Sequence, residues 1–297
     1  MREIGDEPYQ MKHKFPHIHM AVDKNRRNGI HQLCNDNVQP PADVIILDDA
    51  YQHRYVQPGV NILLMDYHRL IYFDKLLPAG RLREPKSSSH RADIVIVTKC
   101  PEYITPMEQH GIARSLAMQP WQKLYYTRFV YGDLHSLHSM LPDADGDITP
   151  ALPLAQLQEG KYNVILLTGI ASPQQMEYDL HKYCDFTPIH FADHHNFSRK
   201  DLAIVSNHVR QATAGNDRKT IVITTEKDAT RLTDYILTHP DDPSHLCQTR
   251  GRDYYVLPVE VQFLNDQADD FNQFILGYVH KNSRNSTLSQ GKNPRKA

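Results

Sequence analysis

The feature that most constrains the fold is a series of short, uninterrupted apolar runs, each of which ends in polar or turn residues. In the first half of the chain these runs are residues 44–47, 60–65 and 94–97, and the first two lead directly into Asp48 and Asp66. Continuous apolar runs of this length are typical of central parallel strands, which are buried on both faces. Since helix-length segments separate the runs, the pattern predicts an α/β fold with ligands at the carboxyl ends of its strands.

A second series of runs predicts a second α/β unit. Its expected strands are 164–167, 187–191 and 221–223, and its expected helices lie near 173–183, after Ser198 and from about Asp228. Asp201 lies three residues after Ser198, an arrangement close to a capping box. The run 254–263 is interrupted by Pro258, which favours an edge strand or a strand that crosses between the two units.

Length and local composition predict two domains. A chain of 297 residues is long enough for about two domains of ~150 residues each. We expect residues 1–132 to form the first and residues 133–280 the second, with the Pro-, Asp- and Gly-rich stretch 142–153 as a hinge or surface loop. Residues 281–297 are polar and basic with almost no apolar side chains, which is the composition of a disordered tail.

Charge and cysteine usage exclude several classes of protein. The chain has 33 Lys and Arg against 35 Asp and Glu, so a strongly basic nucleic-acid-binding surface is not expected. Its four cysteines include no CxxC pair, which argues against a disulfide framework and a thiolate zinc site. No apolar run reaches the ~18 residues that span a bilayer, and the N-terminus lacks the apolar core of a signal peptide. We therefore expect a reducing, cytosolic setting.

Two motifs in the first half combine acids with guanidinium groups. DDAYQHR (48–54) follows an apolar run as the acids of a Walker B strand do, and such a carboxylate binds the Mg²⁺ that bridges nucleotide phosphates. The alternative is a strand end with a solvated turn. LLPAGRLREP (76–85) places two Arg and one Glu in a turn-rich loop, where Arg suits phosphate oxygens and Glu suits Mg²⁺ or an Arg partner. A surface salt bridge is the alternative there.

Three further motifs place acids, imidazoles or a lysine beside predicted elements. GDEP (5–8) sets two acids before a helix-initiating Pro, where acids can simply offset the helix dipole. FADHHNFS (191–198) puts His beside an acid, which suits a base, a proton partner or a ligand as well as a surface imidazole. TTEKD (224–228) opens a helix whose N–H groups and Lys could hold an anion, or which Thr and first-turn acids only cap.

Taken together, these motifs resemble one family. The order GDEP, DDAYQHR, LLPAGRLREP, TGIASP (168–173), FADHHNFS and TTEKDATRL is similar to that of the tetraacyldisaccharide 4'-kinases of lipid A biosynthesis, over about residues 3–280. The resemblance implies a P-loop NTPase-like parallel sheet, a second smaller α/β domain, and ATP and Mg²⁺ as cofactors. It implies transfer of the γ-phosphoryl group to the 4'-hydroxyl of a tetraacyldisaccharide 1-phosphate. The expected protein is a monomer that lies peripherally at the cytoplasmic face of the bacterial inner membrane. No nucleic-acid partner is expected.

The resemblance also implies roles for individual residues. Asp6 would match the catalytic acid that acts as base on the sugar hydroxyl, and His194 the imidazole that pairs with it. Asp48 and Asp49 would match the Walker B acids that bind the metal. Phosphoryl transfer asks a protein mainly for positioning and charge neutralisation, so a base, Mg²⁺ ligands and a guanidinium are the expected parts.

The remaining expected contacts lie in the LREP loop and after the strand 221–223. Glu84 would match the acid of the LREP loop, expected at the metal, and Arg83 its neighbouring phosphate contact. Thr225 and Lys227 are expected to contact the cofactor because they lie between a strand end and a helix N-terminus.

The chain departs from the family pattern in two places. The family's P-loop, GxxxxGK[ST], does not occur: the Gly-Lys pairs at 160–161 and 291–292 are followed by Tyr and Asn. We expect a gene model that starts too late, with the P-loop and a membrane-associating segment upstream. The chain as given is expected to bind ATP poorly or not at all, and to be soluble in the cytoplasm if that segment is truly absent. Ala50 stands where the family usually has Gly. If this residue has a left-handed backbone, the Cβ of Ala destabilises the turn by about 1 kcal/mol.

Two other functions remain open on the sequence alone. One is a metal-dependent phosphohydrolase, which needs no P-loop and gathers a metal ion from O and N ligands: Asp48, Asp49, His53, Asp193, His194 and His195. The other is an inactive module that still binds the acylated disaccharide.

Overall fold

The structure, a computed structural model, describes residues 5–35, 38, 40, 42–142, 150–215 and 217–289. The side chains of Asp6, Tyr9, His13 and residues 283–289 are not among those described. Residues 143–149 of the expected hinge and 290–297 of the expected tail therefore lie outside the described residues. In the part that is described, no helix is both long enough and apolar enough to cross a bilayer.

The described strands and helices alternate along most of the chain. The strands are β1 (Ile62–Asp66), β2 (Ile94–Thr98), β3 (Lys123–Tyr131), β4 (His135–Ser136), β5 (Tyr162–Thr168), β6 (Phe186–His190), β7 (Lys219–Thr225), β8 (Tyr254–Leu257) and β9 (Val259–Phe263). The helices are α1 (Asp6–Lys14), α2 (Arg26–Leu33), α3 (Pro106–Ser115), α4 (Gln174–Leu180), α5 (Arg199–Thr213), α6 (Glu226–Thr238), α7 (His245–Gln248) and α8 (Ala268–Ser289).

The chain divides into two units, each built from two segments. Unit 1 comprises residues 1–18 and 131–260, and unit 2 comprises residues 19–130 and 261–297. The division expected from the sequence differs because it kept residues 1–132 together. In unit 1, ion pairs join α1 to α6, 212 residues away in sequence for Lys14 and Glu226. A contact that distant cannot be derived from a local pattern.

Unit 1 contains a five-stranded sheet in the order β4-β8-β7-β5-β6. The four strands β8, β7, β5 and β6 are parallel to one another, and the edge strand β4 is antiparallel to β8. Along β5, Ile165 and Leu167 pack into one apolar cluster, and Val164 and Leu166 pack into another. Since successive side chains of a strand point to opposite faces, both faces of this sheet are buried, as the apolar runs predicted.

Unit 2 contains a four-stranded sheet in the order β1-β2-β3-β9, in which β1, β2 and β3 are parallel. On β2, Val95 and Val97 face one apolar cluster while Ile94 and Ile96 face another. Met65 is 3% exposed, but Ile62 and Leu64 on the same strand are 37% and 64% exposed. The central strand of this sheet is therefore buried on both faces, whereas β1 has an exposed side.

The predicted Walker B strand is wrong. Residues 44–47 have no regular secondary structure in the described chain, and Val44 and Ile46 are 51% and 89% exposed. The physical reason is that an apolar run becomes a strand only where its backbone finds a partner to hydrogen-bond, and no described strand pairs with these residues.

The expected disordered tail from residue 281 also differs from the structure, because α8 continues to Ser289. The side-chain amide of Asn282 donates to the carbonyl of Tyr278, at 2.8 Å. The helix begins among apolar residues, since Phe271, Phe274 and Ile275 pack against the core of unit 2. Once a helix is nucleated, adding residues costs little free energy, so polar residues extend it.

Candidate active site

The GDEP motif forms the start of α1 in unit 1. Gly5 has φ 86°, a conformation that favours glycine, and the helix begins at Asp6, whose side chain is outside the described ones. Glu7 Oε1 lies 3.7 Å from Lys227 Nζ, and Lys14 Nζ lies 3.4 Å from Glu226 Oε1. The structure thus connects both ends of α1 to the first turn of α6.

Lys227 lies at the centre of a group that we call the Lys227 cluster: Glu7, Asp193, His194, Lys227, Arg231 and its partner Asp228. The Nζ of Lys227 is 3.1 Å from His194 Nε2 and 3.6 Å from Asp193 Oδ1. On the other side of the ring, Arg231 NH2 is 3.3 Å from His194 Nδ1. The imidazole therefore has a cationic side chain beside each of its nitrogens.

The loop after β6 sets the position of His194. Its backbone is left-handed, with φ 59°, and its N–H donates to Asp193 Oδ1 at 3.0 Å. Asp and His are among the residues that tolerate such turns. The side chain of His194 is 56% exposed, so a substrate can reach the ring.

Thr225 caps α6. Its hydroxyl donates to Asp228 Oδ2 at 2.7 Å and accepts from the Asp228 N–H at 3.1 Å. The carboxylate of Asp228 therefore already occupies the N-terminal end of this helix, where an anion from the cofactor was expected. The capping alternative describes the observed geometry of Thr225, while Lys227 remains accessible at 20% exposure.

The acids of DDAYQHR lie in an exposed turn of unit 2. The side chain of Asp49 is 80% exposed and lies 4.0 Å from Arg83 NH1, and Asp48 is exposed as well. The left-handed residue of this turn is Asp49, with φ 44°, so Ala50 carries no left-handed strain and the condition for a penalty at that position is not met.

The carboxylate of Glu84 lies between two guanidinium groups rather than beside other metal-ligand oxygens. It accepts from Arg54 NH2 at 3.2 Å through Oε1 and from Arg91 NH2 at 2.7 Å through Oε2. The hydrogen bond from Arg91 is the main reason that the pKa of Glu84 is below its ordinary value. Arg91 also lies over the ring of Tyr51, 4.7 Å from its centroid. We call Tyr51, Arg54, Glu84 and Arg91 the Glu84 cluster.

The metal-ligand roles of Asp48, Asp49 and Glu84 stay a prediction of the sequence. Among the described residues, no group of three or more His, Cys, Asp or Glu is placed to hold a metal ion, so Asp48, Asp49 and Glu84 do not form one. The described residues of the hydrolase set likewise contain no such group. In that set, His195 Nε2 lies 3.0 Å from Asp201, the N3 acid of the capping box of α5, and its ring stacks on Phe191.

The sequence interpretation missed three residues that the structure places in these clusters. Arg231 and Asp228 belong to TTEKDATRL but received no role, and Arg91 lies beyond the LREP motif. One signal was available: Arg231 follows Lys227 by four residues, and residues so spaced share a face of a helix. The partner of Arg91 had no such local signal.

Comparison with a solved structure gives the class of protein. The protein is similar to the "apo" form of LpxK from Aquifex aeolicus, crystallised in complex with ATP, with a TM-score of 0.57 and 22% sequence identity. The match covers 93% of this chain and 69% of that chain. The fold is therefore of the predicted class, an α/β, P-loop NTPase-like fold.

Sequence comparison gives the particular family. The model of the family described as tetraacyldisaccharide-1-P 4'-kinase matches residues 1–280. The chain is 48% identical over 288 residues to the tetraacyldisaccharide 4'-kinase of Phocaeicola vulgatus, covering 96% of this chain and 73% of that protein. It is 45% identical over 296 residues to that of Bacteroides thetaiotaomicron, covering 98% and 73%. The chain belongs to the tetraacyldisaccharide-1-P 4'-kinase family.

Family membership confirms the class of enzyme predicted from the motifs, a kinase of lipid A biosynthesis. It does not favour the phosphohydrolase, which the described geometry does not support either.

Proposed function

We propose that this protein transfers the γ-phosphoryl group of ATP to the 4'-hydroxyl of a tetraacyldisaccharide 1-phosphate. The family match over residues 1–280 carries the proposal, and the Lys227 cluster supports it at the level of residues. The protein acts as a monomer, peripheral to the cytoplasmic face of the inner membrane, where an acylated substrate resides.

In this reaction the 4'-oxygen attacks the γ-phosphorus while the bond to the β,γ-bridging oxygen breaks, and ADP leaves. The proton of the hydroxyl passes to Asp6, because a sugar hydroxyl is a poor acid and needs a base in the transition state. His194 pairs with that acid. Glu7, in the first turn of α1, lies 3.7 Å from the Lys227 ammonium that contacts the His194 ring, so the structure supports this pairing of elements.

The residues of unit 2 fit a magnesium nucleotide in part. Asp49 offers a carboxylate that is 80% exposed, and hard oxygen ligands of this kind suit Mg²⁺, which neutralises phosphate charge when bound. Arg83, whose side chain is 67% exposed, is available to phosphate oxygens. Glu84 fits a metal less well, because both of its oxygens accept from Arg54 and Arg91. We infer that it holds those guanidinium groups, and that it binds metal only if one of them moves.

The test is a transfer assay with γ-labelled ATP and tetraacyldisaccharide 1-phosphate, on the full-length protein. Asp6→Ala and His194→Ala should each lower kcat by about 10²- to 10⁴-fold, the usual contribution of acid–base groups. Nucleotide affinity, measured by calorimetry, should stay unchanged, because neither residue is proposed to bind ATP.

Matched controls are Asp241→Ala and His110→Ala, which remove an exposed acid and an exposed imidazole outside the motifs. Both should keep full turnover. If Asp6→Ala also keeps full turnover, the assignment of the base is wrong; if the wild type transfers no label, the proposed reaction is wrong.

A further inference from the structure

Arg231 joins His194 to the buried part of unit 1. Its guanidinium is 3% exposed, with NH1 3.2 Å from Asp228 Oδ1 and NH2 3.3 Å from His194 Nδ1. The planar group uses two of its nitrogens at once, and a guanidinium has a fixed fork geometry. Because NH1 is held by Asp228, the plane of the guanidinium is fixed, and with it the direction from which NH2 approaches His194 Nδ1.

Asp228 holds Arg231 in place. The carboxylate is 0% exposed, and its Oδ2 accepts from the N–H of Gly169 at 2.8 Å and from the hydroxyl of Thr225 at 2.7 Å. A Cβ on Gly169 would lie 2.9 Å from Asp228 Oδ1, so there is no room for a side chain between β5 and this carboxylate. A buried charge with this many short contacts has no alternative position of similar energy.

Both cations compete for the one lone pair of a neutral imidazole. A guanidinium and an ammonium are donors only, and a neutral ring has one acceptor nitrogen. Lys227 lies on a flexible stem and has two carboxylates to neutralise it, Glu7 at 3.7 Å and Asp193 at 3.6 Å. Lys227 Nζ is the nearer of the two cations, 3.1 Å from Nε2 against 3.3 Å between Arg231 NH2 and Nδ1. Lys227 can turn away on its stem, however, whereas Arg231 is buried and paired with Asp228.

We propose that Arg231 is a positioning residue, which fixes the His194 tautomer with the lone pair on Nδ1 and the proton on Nε2. Nε2 then serves as a donor, which is what a hydrogen bond to a catalytic carboxylate requires. The assignment rests on the proposed function for its effect on catalysis, but not for its effect on the ring itself. In other enzymes a wrong tautomer at such an imidazole costs most of the rate.

The direct test is nitrogen NMR of the ring in protein labelled with ¹⁵N-histidine, with His194→Ala used to identify the signal. In the wild type the His194 signal should have the pattern of a protonated Nε2 and a bare Nδ1. Arg231→Met removes the donor while keeping an unbranched side chain, and should shift the pattern towards the other tautomer. An unchanged pattern in Arg231→Met overturns the proposal.

Catalysis provides a second readout. Arg231→Met should lower kcat by about 10- to 100-fold with the KM for ATP changed less than about twofold, since the ring is still present but misdirected. Arg231→Lys keeps the charge without the fork, so it should restore less than half of the lost kcat. Full activity in Arg231→Met would contradict a positioning role.

Loss of Arg231 alone leaves the buried Asp228 carboxylate unpaired, so Arg231→Met can fail to fold. The double variant Asp228→Asn with Arg231→Met removes both charges and keeps the shape. It should fold, show the altered tautomer and stay slow; a double variant with wild-type tautomer and rate would reject the proposal. If His194→Ala is fully active while Arg231→Met alters the tautomer, the proposed role of His194 fails and the role of Arg231 stands.

Discussion

The Lys227 cluster and the Glu84 cluster contain the same chemistry in different surroundings. In the first, Arg231 NH1 lies 3.2 Å from Asp228 Oδ1, and the two side chains are 3% and 0% exposed. In the second, Arg54 NH2 also lies 3.2 Å from Glu84 Oε1, but the side chain of Arg54 is 65% exposed. Equal distances therefore do not mean equal energies, because solvent screens one pair and is excluded from the other. The first pair is suited to holding an imidazole still, and the second to exchanging partners when a ligand arrives.

Removing one acid from each cluster should give the largest difference. Asp228→Ala removes the carboxylate that lies 3.2 Å from the buried Arg231 guanidinium, which should destabilise unit 1 by about 3–5 kcal/mol. Glu84→Ala should cost about 0–1 kcal/mol, the range of exposed pairs. Urea unfolding followed by circular dichroism measures both, and hydrogen exchange of the β5 and β1 amides assigns each loss to its unit. Equal losses would show that burial does not separate the two clusters.

A second substitution tests whether the backbone of unit 2 is tightly packed even though the ion pairs of its Glu84 cluster are exposed. A Cβ at Gly80, in the LLPAG loop, would lie 2.2 Å from the carbonyl oxygen of Lys75 and 2.5 Å from Asp74 Oδ1. Because backbone must shift, Gly80→Ala should destabilise unit 2 by about 1–3 kcal/mol.

The matched control is Gly111→Ala in α3, where a Cβ meets nothing within 4 Å. This change should stabilise the helix by up to about 1 kcal/mol. Thermal unfolding compares the two variants. If Gly80→Ala lowers the unfolding temperature no more than Gly111→Ala does, the loop backbone can shift to accept a Cβ and is not tightly packed.

The smallest expected effect is a pH dependence that is specific to Glu84. The hydrogen bond from Arg91 places the pKa of Glu84 below its ordinary 4.5, so this carboxylate contributes stability that is fully present above pH 4.5. That stability is lost as the pH falls through the lowered pKa of the folded state. Since the group is near the surface, the contribution is small.

Glu84→Gln should remove this part of the acid sensitivity while leaving the rest. Urea midpoints of the wild type and the variant, measured between about pH 3 and pH 6, should converge as the pH falls. A constant difference between them across this range would mean that the Arg91 contact does not stabilise the ionised form.

Local patterns predicted much of the secondary structure. The runs at 94–97, 164–167 and 221–223 are strands in the structure, and Ser198 with Asp201 forms the capping box that opens α5. Pro258 separates β8 from β9, as the interrupted run indicated. In each case the decisive residues are close in sequence, so the interaction that fixes the structure is visible in the sequence.

Order of motifs likewise determined the family, because six short motifs in one order are specific even where each alone is weak. The roles proposed for Asp6, Asp48, Asp49 and Arg83 come from that order. The described contacts bear on two of them directly, since Arg83 NH1 lies 4.0 Å from Asp49 Oδ2, but they do not test these roles.

Tertiary structure alone decided which charges meet. The run 44–47 had the composition of a strand but pairs with no described strand, and residues 1–18 belong to one unit with 131–260. Arg231 reaches His194 across 37 residues of sequence, and Arg54 reaches Glu84 across 30. Such pairs depend on how strands and helices pack, and their energies depend on the solvent that packing excludes. Sequence spacing fixes neither quantity.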